Sequence, residues 1–224
     1  MSRNKLFVSG LTKTVSGFLL LGLLLFLPAG TWNYPGAWRF IGLLFIPMFF
    51  LGAVLLCKAP ELLEKRLKVK EEESEQKQVI LFSGLILVAG FVLAGLDFRF
   101  KWTLLPAWVI ILASVLFLFS YGLYAQVLRE NAYLSRIVEI QDNQKVIDTG
   151  LYGIVRHPMY SAVTIMFLSM PVVLGSVVAV IPFLFIPAVL IKRIKNEEEV
   201  LEKGLDGYLA YKTKVKYRMI PFIW

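Results

Sequence analysis

Polar and apolar residues occur along this chain in long blocks. Arg3, Lys5 and Lys13 precede an apolar run from Val15 to Leu27. Further runs extend from about Trp38 to Cys57, Val79 to Leu96 and Leu104 to Tyr124. Several approach the ~20 residues that a helix needs to cross bilayer hydrocarbon. Two shorter runs, Tyr160 to Leu174 and Val177 to Ile191, are divided by Gly175-Ser176. They read as a tight helical hairpin whose return arm is bent by Pro182 and Pro187, each arm short enough to require tilt or partial penetration. From Lys192 the chain is charged, but Leu201, Leu205, Tyr208, Tyr211 and Val215 keep roughly helical spacing. That pattern predicts an amphipathic surface helix.

The first run, with its basic flank and Pro28-Ala29-Gly30, has the outline of a signal peptide. Because further spans follow at once, a retained anchor is expected. Trp32, Tyr34, Trp38 and Trp102 sit at the ends of runs, where an interfacial aromatic belt belongs. Pro47 predicts a kink in the second span. The segment 58–78 is dense in charges of both signs and reads as a solvated loop or helix. The expected fold is therefore an all-α integral membrane protein of about six transmembrane helices. The last two form a tight hairpin, followed by a cytoplasmic C-terminal amphipathic helix. Residues 1–130 make an N-terminal transmembrane part, and residues 131–224 make a part able to carry chemistry.

Charge gives this topology an orientation. Of the 24 Lys and Arg residues, all but Arg39, Arg99 and Lys101 fall on one side if the N-terminus is cytoplasmic. By the positive-inside rule both termini face the cytoplasm. In a chain that is 58% hydrophobic, the net charge of +8 points to anionic headgroups and away from nucleic acid. The single cysteine, Cys57, excludes an internal disulfide. One histidine and no Cys/His cluster argue against a metal centre, and none is expected. Phosphate-binding glycine loops and a nucleophile elbow are likewise missing.

Two clusters remain, both at cytoplasmic ends of runs. Thr149-Gly-Leu-Tyr-Gly-Ile-Val-Arg-His-Pro-Met-Tyr160 holds the only histidine. Pro158 fixes its own φ and biases His157 away from the α region, so a helix is expected to start there. Its free N–H groups and partial positive charge, beside Arg156 and His157, favour an anionic group. The second cluster is Arg193-Ile-Lys-Asn-Glu-Glu-Glu199. On a helix Arg193 and Glu197 are four apart and can pair, while Glu198 points ~100° further round. One cluster is cationic and the other largely anionic, an arrangement that fits a zwitterionic ligand. Both also fit plain alternatives: headgroup-seeking side chains and a solvated helix start.

These two elements, the apolar hairpin between them, and the ending Gly207-Tyr208-x-x-Tyr211-x-x-x-Val215-x-Tyr-Arg218-x-Ile-Pro221-x-x-Trp224 resemble the isoprenylcysteine carboxyl methyltransferase family. The wider superfamily includes phospholipid N-methyltransferases. The resemblance covers about residues 148 to 224; the first half of the chain is similar only as generic membrane helices. Ser161-Ala162 departs from it, since many members have a glycine soon after the tyrosine. The resemblance implies S-adenosylmethionine as methyl donor. It implies that His157, Tyr160 and Glu197 contact this cofactor, and that Tyr152, Gly153 and Val155 line its pocket. Arg193 and Glu198 would serve the acceptor and the reaction centre, with Arg156 shaping it. The expected partners are the bilayer and a hydrophobic or lipidated acceptor arriving from it. A carboxylate acceptor would need Arg193 as an orienting cation; an amine would need a base, for which Glu198 is the candidate. Membrane sterol-type reductases, which use NADPH, have a similar Arg-His-Pro-x-Tyr segment and provide an alternative from another enzyme class. A non-enzymatic scaffold or a transporter is the third.

Overall fold

The structure, a computed structural model, describes residues 2–67, 74–135 and 138–224, with the backbone alone for 74–76. The centre of the charged 58–78 segment and Arg136 lie outside the described residues. Among the described residues nine α-helices and one 3-10 turn occur, and no strand. They are α1 (Arg3–Ala29), α2 (Pro35–Lys58), α3 (Pro60–Leu67), α4 (Ser74–Phe100), α5 (Ala107–Glu130), α6 (Pro158–Leu174), α7 (Val180–Phe183), α8 (Ile186–Gly204) and α9 (Tyr208–Lys214). Four helices, α1, α2, α4 and α5, are long and apolar enough to cross a membrane. Each runs past its apolar block into a polar flank, α5 only at its C-terminal end because it starts after Pro106. Alternation along the chain gathers Lys13, Lys58, Gln78 and Glu130 at one end of the bundle, termed here the basic end, and Tyr34, Asp97 and Ser176 at the other.

The last two expected spans take a different form. The fifth is α6, 17 residues long. The sixth apolar run is divided into α7 and the start of α8, as Pro182 and Pro187 interrupt it. Gly175, at φ +88, caps α6 and donates to Pro171 and Val172 carbonyls. The single amphipathic tail helix expected from Lys192 is also revised: α8 runs unbroken from the apolar run to Gly204. Gly207 then turns the chain at φ +83, and α9 lasts only seven residues. Pro47 lies within one continuous α2.

The core lies where α2, α4, α5, α6 and α7 meet. Phe40 packs its ring 5.7 Å from both Phe91 and Phe117, and Phe91 lies 6.0 Å from Phe183. Gly90 is required here, since a Cβ on it would stand 2.3 Å from the Phe183 ring. Outward-facing residues such as Leu19, Ile46, Phe50, Leu81 and Ile111 are exposed apolar groups, as a bilayer-facing surface demands. The run resembling a signal peptide contributes Leu21, Leu25, Phe26 and Ala29 to the core, packed on α4. An apolar cavity of about 640 Å³ lies among α1, α2 and α4, with Phe167 and Met170 of α6 and Leu63 and Leu67 of α3 also lining it. Arg66 of α3 donates to the Ser135 carbonyl and the Tyr124 hydroxyl, fixing α3 against α5 and the segment after it.

Candidate functional site

The segment between α5 and α6 is positioned by its own turn chemistry. Gly150 adopts φ +59, and a Cβ there would meet the Glu130 carboxylate at 2.4 Å. That carboxylate instead accepts the Leu151 N–H at 2.9 Å. A 3-10 turn over Gly150–Gly153 then buries Tyr152, whose hydroxyl accepts from Asn131 and whose carbonyl accepts from the Tyr211 hydroxyl. As the proline predicts, α6 begins at Pro158, with His157 in a non-helical conformation as its cap.

The chain's final residues strap across this start. The N–H groups of Arg156 and His157 donate to the Tyr217 and Arg218 carbonyls at 2.9 and 2.8 Å. Arg156 also donates from its guanidinium to Val215 and Lys216 carbonyls at 2.7 and 2.8 Å. Ser161, the departure from the family pattern, donates to the Met219 carbonyl at 2.6 Å, so this side chain anchors the strap. The next residue, Ala162, is fully buried in α6.

An anion was expected beside Arg156 and His157, and the chain supplies it. Glu198 is 2% exposed and accepts from Arg156 Nε at 2.7 Å, His157 Nε2 at 3.2 Å and Arg218 Nε at 2.8 Å. A carboxylate only accepts, so His157 Nε2 carries the proton in this contact. Burial by itself would push the Glu198 carboxyl up. Hydrogen bonds from His157, Arg156 and Arg218 outweigh that and hold it well below the usual carboxylate range. Glu198 lies in the polar half of α8, beyond its apolar start.

The other face of α8 lines a pocket. Arg193, Glu197 and Leu201 recur every four residues and form one stripe on its wall, which Leu205, the cap of α8, continues. The opposite walls are Tyr152, His157, Met159 and Tyr160, then Val146 and Ile147, then Tyr208 and Tyr211. Tyr160 couples the charged pair: its hydroxyl accepts from Arg193 Nε at 2.8 Å and donates to Glu197 Oε2 at 2.5 Å. Of the residues expected to hold a cofactor, Tyr152, His157, Tyr160 and Glu197 line this pocket. Gly153 is exposed, and Val155 is buried away from the pocket wall. Arg156 and Arg193 reach it, whereas Glu198 stands behind it as the hub of three donors. Burial pushes the phenols of Tyr152 and Tyr211 above their ordinary range, so both remain neutral at physiological pH. Sequence reasoning assigned no site role to Arg218, Tyr208 or Tyr211. The ending that contains all three was legible as a motif, but its apolar spacing read as the face of a surface helix.

The donor set fits the group the resemblance implies. Glu197 is a carboxylate for an ammonium, and Val146, Leu201 and Leu205 are an apolar surface for a flat base. The enclosed space is about 100 Å³, below the ~300 Å³ at which ligand pockets begin. Holding a cofactor therefore requires its walls to part. No group of three or more His, Cys, Asp or Glu residues able to hold a metal ion occurs among the described residues. A comparison with curated proteins finds no match. One family model matches residues 108–203, a segment that runs from the start of α5 into the last turn of α8 and contains every site residue expected from sequence. That model describes the isoprenylcysteine carboxyl methyltransferase (ICMT) family, which this segment of the chain resembles.

Proposed function

We propose that this protein is a membrane methyltransferase that uses S-adenosylmethionine to methylate the carboxylate of a hydrophobic acceptor, a prenylcysteine-like or other lipid acid. The observation that carries this reading is the division of labour on α8. Glu197, Arg193 and Tyr160 form a linked polar group on the pocket wall, and Glu198 behind it is already saturated. When bound, the cofactor supplies a methyl group on a sulfonium, and displacement from it needs no metal. The chain's own contribution is then alignment and exclusion of water, where positioning supplies ~7–11 kcal/mol. Glu197 would hold the ammonium of the methionine part, and Tyr160 fixes that carboxylate. Arg193, in turn held by Tyr160, would orient the acceptor carboxylate.

The alternative of phospholipid N-methylation requires a base for the ammonium proton. Glu198, the sequence candidate, is held ionised by three donors, and its lowered proton affinity makes it a poor one. O-methylation of an existing carboxylate needs no such group. The acceptor's apolar part would remain in the bilayer. We also assign the basic end, the pocket and both termini to the cytoplasm, with α6 and the α7–α8 arm completing six membrane segments, on the strength of the Lys and Arg distribution.

The test is calorimetric binding of S-adenosylmethionine, and separately NADPH, to the detergent-solubilised protein, with Glu197→Gln alongside. Saturable binding of S-adenosylmethionine, weakened about 10-fold or more in the folded variant, supports the reading. Binding of NADPH alone would replace it with the reductase reading. Transfer of labelled methyl to a prenylcysteine carboxylate but not to an ethanolamine lipid separates the two acceptors.

A further inference from the structure

One group in the pocket has no task in the scheme above. Tyr208 begins α9, and its side chain packs with Val146, Leu201, Leu205 and Tyr211 in a small separate apolar cluster. It lines the pocket and is 4% exposed. Each neighbouring phenol is placed: Tyr211 on the Tyr152 carbonyl, Tyr152 on Asn131, and Tyr160 between Arg193 and Glu197. Among the described residues, the Tyr208 hydroxyl alone is a buried side-chain polar atom without a hydrogen-bond partner. Buried hydroxyls are almost always satisfied, and an unsatisfied one lowers the stability of the fold that keeps it. Phenylalanine would fill the same space without that penalty, so the oxygen has a use outside packing.

Position narrows the use. Glu197 and Leu201 are one turn apart on α8, about 6 Å along the helix axis, and Leu205, which caps the helix, lies further on in the same direction. A ligand with its ammonium at Glu197 therefore extends its other end over the apolar surface beside Tyr208. Nothing charged is required of that end; it must be flat, apolar on its faces and able to hydrogen-bond at its edge. We propose that the Tyr208 hydroxyl hydrogen-bonds the edge of the heteroaromatic base of a nucleoside ligand seated on Val146, Leu201 and Leu205. This assignment rests on the S-adenosylmethionine reading and extends it to the residue that selects the base.

Tyr208→Phe removes one oxygen and little else. In the unliganded protein, thermal unfolding of the variant is expected at or above the wild-type temperature. Calorimetry is expected to show binding of S-adenosylmethionine weakened about 10-fold. Wild type should also prefer S-adenosylmethionine to its inosine counterpart, and the variant should lose that preference. Equal affinity of the variant and wild type for S-adenosylmethionine overturns the inference. So does an unliganded variant that unfolds earlier or fails to fold, since the hydroxyl then has an internal partner. Failure of wild type to bind S-adenosylmethionine at all removes the cofactor reading, and this assignment with it.

Discussion

Two carboxylates are buried at opposite ends of this bundle, and their partners differ in kind. Asp97, at the end away from the pocket, is 1% exposed. It accepts from the Thr103 N–H and hydroxyl, both at 2.7 Å, and from the Ser176 hydroxyl. All three donors are neutral and belong to connections, so Asp97 ties the end of α4 to the 101–106 link and to the turn after α6. Tyr34 and Arg39 complete the joint by donating to the Leu174 and Val173 carbonyls. Glu198 collects two guanidiniums and an imidazole instead, and holds the start of α6, α8 and the terminal strap around a pocket. A buried carboxylate with local neutral donors closes a structural joint. One on which groups from distant segments converge holds those segments together beside a pocket.

Removing each hub tests that contrast. Glu198→Ala strands Arg156 and His157 in a buried site and is expected to destabilise the protein by ~3–5 kcal/mol, with methyl transfer lost. Thermal unfolding and turnover in detergent read both effects. Acid offers a second measure. The folded-state proton affinity of Glu198 is lowered, so its stabilisation is complete above the ordinary carboxylate value of ~4.3 and declines as pH falls below it. Wild type is expected to lose stability more steeply below that pH than Glu198→Gln; parallel curves would place the acid sensitivity elsewhere.

At the other joint the predicted effects are smaller and separate from activity. Gly36→Ala puts a Cβ within 2.3 Å of the Leu174 carbonyl oxygen and is expected to cost ~1–3 kcal/mol, measured as a lower unfolding temperature. Asp97→Asn keeps the shape but weakens the acceptor, costing ~1 kcal/mol, while turnover per folded molecule stays at the wild-type level. A drop in turnover there would show that the joint reaches the pocket.

The sequence by itself determined the membrane character, the all-helical class and the two polar clusters that meet at the pocket. Blocks of apolar residues and the side preference of Lys and Arg are local statistics, and a bilayer imposes them on the chain directly. The start of α6 was legible for a similar reason, because Pro158 constrains its own backbone and that of His157. The sharing of tasks between Glu197 and Glu198 was legible only as a difference in direction, since 100° of helical rotation says where a side chain points but not what it meets. What Glu198 meets comes from residues 156–157 and 218, and only the tertiary structure brings these together. The fate of the last apolar run and of the tail was decided there too: packing carries α8 through to Gly204, and Gly207 breaks the amphipathic pattern that spacing alone would continue. Arg218, Ser161 and Tyr208 were invisible as site residues because their roles depend on a strap and a pocket wall that form between segments distant in the chain, and sequence periodicity holds no information about such contacts.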